Sequence, residues 1–139
     1  MYILEGCVDS VESAIEAEKG GANRLELCSN LIIGGTTPSI NLFNMVREHT
    51  NIKINVLIRP RFGDFCYSDK EFEVIKREVK MFQEAGADGV VIGVLNPDGT
   101  LDIDRMNELI HIAKGMHITL HRAFDMCKNP LKALEQAQQ

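Results

Sequence analysis

The chain has 139 residues, about one domain's worth, and its 45% hydrophobic, 25% charged and 6% aromatic content excludes disordered and collagen-like classes. Fifteen Lys and Arg against twenty Asp and Glu leave a formal net charge of -5, which argues against a nucleic-acid or anionic-membrane partner. No apolar run approaches the roughly 20 residues of a membrane span. The start from Met1 to Cys7 meets acid at Glu5 without a basic or apolar leader, so a soluble intracellular protein is expected.

Residues 2 to 7 are apolar-rich and predict a first strand. Val11, Ala14, Ile15 and Ala17 follow at helical spacing, with Asp9 or Ser10 as the cap and Gly20-Gly21 as the stop. A second strand is predicted over Arg24 to Cys28, a turn-rich stretch over Ser29 to Thr37, and a helix over Ile40 to His49 carrying Leu42, Phe43, Met45 and Val46. Lys53 to Ile58 reads as the third strand. The loop that follows ends at Ser68 or Asp69, and Glu71 completes a capping box if Ser68 is the cap. Phe72, Ile75, Val79 and either Met81 or Phe82 recur near every 3.6 residues until Gly86. Gly89 to Val94 predicts a fourth strand, residues 96–100 a turn, and Ile103, Met106, Leu109, Ile110 and Ala113 a fourth helix. His117 to Leu120 is the fifth strand, and a fifth helix begins near Asn129-Pro130.

Strands alternating with helices predict parallel pairing with right-handed crossovers. Four of the strands also alternate polar with apolar side chains. Glu5 and Cys7 share a face, as do Glu26 and Cys28, Asn55 and Arg59, and Thr119 and His121. A recurring polar face belongs to the inside of a barrel whose site lies at the carboxyl ends of its strands. The expected fold class is α/β, similar to a TIM (β/α)8 barrel but truncated to about five βα units. Residues 1–139 would then be a partial barrel domain lacking its carboxyl-terminal units, with open edges that invite a homo-oligomer.

The strand ends collect Glu5, Cys7, Glu26, Cys28, Arg59 and His121, with Arg61, Arg122 and Asp125 just beyond. Cys7 and Cys28 fall at matching ends of neighbouring strands, about 5 Å apart. Either their thiolates meet over a soft ion such as Cu(I), or each is a small buried hydrophobe. Cys66 and Cys127 read as incidental. With no Cys-x-x-Cys pair, all four cysteines are expected as free thiols in a reducing compartment. His121 can join the same ion, act as acid or base, or sit in a polar network. Glu5 and Glu26 form an acid and base pair if crowding separates their pKa values, unless Arg59 and Arg61 neutralise them. Those two arginines can instead clamp a carboxylate or phosphate, with Arg122 and Asp125 beside the same ligand. The Gly34 to Ser39 segment offers backbone N–H groups as an anion nest or is a tight turn alone. Phe62, Phe65 and Tyr67 form either a lid or the loop's own small core.

The strings at residues 5–14, 24–29, 34–39, 58–69, 86–93 and 120–126, beginning Glu-Gly-Cys-Val-Asp-Ser and ending Leu-His-Arg-Ala-Phe-Asp-Met, resemble the CutC copper homeostasis family, particularly its animal members. Phe62 and Cys66 depart from the family pattern in the third βα loop. The resemblance implies a TIM-barrel-like fold, a cytosolic protein that is also nuclear in animals, and a part in copper handling. It further implies Cu(I) bound at the positions of Cys7 and Cys28. The rest of the strand-end set resembles an enzyme pocket for a small anionic ligand, the reaction being unknown, and the resemblance covers little more than half of a family member. Three functional readings follow: a Cu(I)-binding homeostasis protein, a barrel enzyme acting on a small anion, or a truncated chain without activity.

Overall fold

The alternation read in the sequence becomes the two faces of one parallel sheet in the computed structural model, which describes residues 2–138. Strands β1 (Glu5–Val8), β2 (Arg24–Leu27), β3 (Lys53–Leu57), β4 (Gly89–Ile92) and β5 (His117–Leu120) pair in chain order, all parallel. Helices α1 (Val11–Lys19), α2 (Ile40–His49), α3 (Asp69–Glu84) and α4 (Ile103–Ile112) connect successive strands, and α5 (Pro130–Ala137) follows β5. A doubly wound sheet would reverse its strand order at a switch point, so strictly sequential order is the winding of a barrel. The chain supplies five βα units of TIM-barrel type.

One face of the sheet carries Leu25, Leu27, Ile54, Val56, Val90 and Ile92, all with no exposed surface. They pack beneath Phe43 and Val46 of α2, Ile75, Val79 and Phe82 of α3, and Leu109 of α4. Phe43 and Phe82 meet edge to face at 5.6 Å between ring centroids. Serine and its analogues fix the helix starts by accepting a backbone N–H three residues on, as Ser10, Ser39, Ser68, Asp102 and Asn129 do. At Ser68 both halves of the capping box are formed with Glu71.

The first strand starts at Glu5 rather than residue 2. The Leu4 N–H donates to the Asn23 side chain at 3.0 Å instead of to a neighbouring strand, which stops the ladder there. β2, β3 and β4 end one or two residues before their predicted limits, although Cys28 and Ile58 still donate backbone bonds to Val8 and Val91. Two short 3-10 turns, Leu31–Ile33 and Arg122–Met126, were not anticipated. The second is capped by His121, whose Nδ1 accepts the Ala123 N–H at 3.1 Å. No described helix is long and apolar enough to cross a membrane.

Candidate functional site

Side chains on the inner face form layers dictated by the strand register. Glu5 lies opposite Arg24, Cys7 opposite Glu26, and Glu26 opposite Asn55. One pleat further, Leu57, Val91 and Thr119 align, with Cys28 buried against the first two. Beyond them stand Arg59, Gly93 and His121, past the ends of β3, β4 and β5. A cleft of about 620 Å³ gathers Cys7, Glu26, Thr119, His121, Arg122 and Asp125. The structure therefore brings five of the nine anticipated site residues to one cleft and holds Cys28 behind it.

The register corrects the expected arrangement of the two cysteines. Cys7 faces Glu26 directly, its thiol 3.8 Å from the carboxylate, and Cys28 sits one pleat further along β2. The Cys28 thiol donates to the Val8 carbonyl at 3.5 Å and has 0% exposure, because the turn at Gly35 lies over it. Gly35 takes φ +86, and a Cβ there would stand 2.7 Å from Leu57, so glycine is required on both counts. The two thiols are still close enough for each to shift the other's ionisation. Burial and then the Glu26 charge push the Cys7 thiol up, and burial and then Cys7 push Cys28 up to about 12. Burial, followed by the charge of Glu5, raises the Glu26 carboxyl as well, which is the crowding that an acid and base pair needs.

The anticipated neutralisation of these glutamates by Arg59 and Arg61 is absent. Glu5 forms its ion pair with Arg24 and accepts from the Asn55 amide at 3.3 Å. Arg61 is spent on Glu71 in the first turn of α3 at 2.5 Å and, within its own loop, on Asp64 at 3.1 Å, which leaves it no donor for a clamp. Arg59 donates to the carbonyls of Gly35 and Gly63 at 3.0 and 2.9 Å and keeps only Nε without a partner. Arg122 is 92% exposed and pairs with Asp125 at 2.8 Å. The anion nest at Gly34–Ser39 is likewise closed, since the N–H groups of Gly34, Gly35, Thr36 and Thr37 donate to Leu31, Asn30, Ser29 and Arg59 carbonyls. Among the aromatic residues, Tyr67 is buried in the core and Phe65 packs on it, whereas Phe62 is 67% exposed.

His121 does not join the cysteines. Among the described residues no group of three or more His, Cys, Asp or Glu side chains is disposed to hold one ion. Because Nδ1 accepts the Ala123 N–H, the ring proton rests on Nε2, which is buried without a partner. Burial and the nearby Arg59 charge lower this histidine to about 4, so it is neutral at pH 7. Sequence reasoning missed Arg24, Asn55 and Gly93 as parts of the site. Arg24 and Asn55 share the parity of Glu26 and were readable from it, while the close approach of His121 to Gly93 was not.

Residues 2–139 match the model of the CutC family. The chain is 49% identical over 134 residues to the Homo sapiens copper homeostasis protein cutC homolog, an alignment covering 96% of this chain and 49% of that protein. The Mus musculus homolog is 48% identical with the same coverage, so the chain spans about half the length of the curated relatives it matches. A solved CutC structure from Streptococcus agalactiae superposes with a TM-score of 0.88 at 30% identity, over 98% of this chain and 67% of that one. With the family model matching residues 2–139 of this chain and the same architecture in a solved relative, the chain belongs to the CutC family.

Proposed function

We propose that this chain serves copper homeostasis by holding Cu(I) between the Cys7 and Cys28 thiolates. The observation that carries the reading is the pair of thiols on adjacent strands, one exposed and one buried behind it. Sulfur ligands select soft ions, and two thiolates suit Cu(I) while offering little to Mg²⁺ or Ca²⁺. The charge of Glu26 raises both thiols, so the pair stays protonated until copper displaces the protons. Both thiols are protonated at neutral pH, so loading copper displaces two protons. Four free cysteines suit a reducing compartment, and the location in this reading is the cytosol, with the nucleus as the second location that the family resemblance implies. Residues 1–139 act in this reading as one partial barrel domain contributing the strand-one and strand-two corner.

Titration with Cu(I) against a competing chelator tests the site. The parent chain is expected to bind, and the chain carrying Cys7→Ala with Cys28→Ala is expected to lose that binding. Equal affinity in the two proteins refutes the thiolate site. The cleft favours a second reading, an enzyme on a small anionic molecule with Glu26 and His121 in proton transfer. Its test is a thermal-shift screen with carboxylated and phosphorylated metabolites, in which no stabilisation by any compound counts against it.

A further inference from the structure

Arg59 is 8% exposed, and no Asp or Glu among the described residues lies within ion-pairing distance of it. Backbone carbonyls hold its terminal nitrogens but carry no full negative charge, so the guanidinium is a buried cation without a counter-ion. Its Nε–H has no acceptor. His121 Nε2–H, at the end of β5, is a second buried donor without an acceptor. Such orphaned donors are unfavourable when nothing accepts from them, and here two stand at one barrel mouth.

Both donors lie against one side chain. The Arg59 guanidinium is 5.0 Å from the centre of the Phe65 ring, and the His121 ring is 4.9 Å from the same centre. Between the ends of β3 and β5 stands Gly93, where a Cβ would come within 2.5 Å of the His121 Cε1. The missing side chain is what lets the imidazole lean across the end of β4. Phe65 in turn lines a cavity of about 570 Å³ whose wall includes Arg59, Leu95, Asn96, Pro97 and Met126. That volume is within the usual range for small-molecule sites, and its lining is largely apolar.

We propose that Arg59 Nε and His121 Nε2 form an oxyanion site for the carboxylate or phosphate group of a small organic molecule, that Phe65 covers both donors until it turns aside, and that the adjacent cavity holds the ligand's apolar body. An oxyanion supplies the acceptors both donors lack and the charge Arg59 lacks. A neutral imidazole with its proton on Nε2 donates at neutral pH without being protonated. Arg61, Arg122 and the Gly34–Ser39 segment take no part, because their donors are already used or stand in solvent. This site is independent of the Cys7–Cys28 pair.

The test uses the 139-residue chain with inorganic phosphate and acetate as separate probes, followed by nitrogen-15 NMR of the Arg59 Nε and His121 Nε2 signals. The expected result is a saturable shift of both signals with at least one probe, and the probe that acts distinguishes phosphate from carboxylate chemistry. Phe65→Ala is expected to tighten binding severalfold, and Arg59→Lys, which keeps the charge but removes the Nε donor, to weaken it severalfold. Absence of a saturable shift at both nitrogens in the parent chain overturns the proposal, whatever the variants do. Unchanged affinity in a folded Arg59→Lys chain overturns it too.

Discussion

If copper sits between Cys7 and Cys28, its affinity must depend steeply on pH. Cys28 is lifted to about 12, which at pH 7 leaves its thiolate about five units uphill. At about 1.4 kcal/mol per unit, ionising that thiol alone costs about 7 kcal/mol, and Cys7 adds to it. The copper–sulfur bonds must offset this cost, and each proton displaced makes apparent affinity rise about tenfold per pH unit below the thiol pKa. Two thiols give about a hundredfold per unit, so the logarithm of affinity rises with a slope near two between about pH 6 and 8. Glu26 raises both thiols by its charge. Glu26→Gln lowers both and removes a negative charge beside an anionic copper–dithiolate centre, so affinity at neutral pH rises while the slope stays near two. The assay is competition with a Cu(I) chelator whose own pH dependence is known, in the parent and in Glu26→Gln. A slope near one means that a single thiolate is used, and no slope means none is; either refutes the reasoning.

Acid stability offers an independent check on His121. Its folded pKa of about 4 is below the ordinary 6.5, so between these values the unfolded chain binds more protons and stability falls as pH drops through that window. The full loss is about 3 kcal/mol. His121→Asn keeps an acceptor for the Ala123 N–H but does not titrate; urea unfolding from pH 7 to pH 4 is expected to show a shallower decline in the variant, and parallel curves contradict the assignment. Gly93→Ala places a methyl 2.5 Å from His121 Cε1 and 2.9 Å from the Ala123 Cβ, an overpacking that should cost about 1–3 kcal/mol and appear as a lowered urea midpoint. Ser68→Ala removes one half of the α3 capping box and is expected to cost about 1 kcal/mol in the same assay, an unchanged midpoint meaning that the cap contributes nothing.

The faces of the sheet were legible because a strand has a period of two and one face here is ionisable. Leu25 and Leu27 against Glu26 and Cys28 suffice to orient β2, and the same parity places Arg24 beside Glu5. Pairing partners were not legible, because they depend on register, which no single strand specifies. A difference of one pleat decides whether Cys7 faces Cys28 or Glu26, and it is Glu26. The fates of Arg59 and Arg61 were hidden for another reason. Both occupy a loop, and the carbonyls that hold Arg59 come from Gly35, 24 residues earlier, and from Gly63, four residues later. Charge alone suggested glutamate partners across the barrel; local geometry offered nearer acceptors.

These pairings divide the barrel mouth by charge. On the β1–β2 side, Glu26 with Glu5 behind it opposes ionisation of the thiols. On the β3–β5 side, Arg59 is buried without a carboxylate, which favours an anion. Leu57 and Val91, both buried, and Thr119 stand on the inner face between the two sides, so the glutamates do not reach the guanidinium to cancel it. Had Arg59 paired with Glu26, as charge counting suggests, the thiols would ionise more readily, but Arg59 would lose the uncompensated charge that favours an anion. Holding Glu5 with Arg24 and Arg59 with neutral carbonyls preserves that separation. His121 lines the cleft with Cys7 and Glu26 and also touches Phe65 beside Arg59, and its neutral state lets it do both without adding charge to either side.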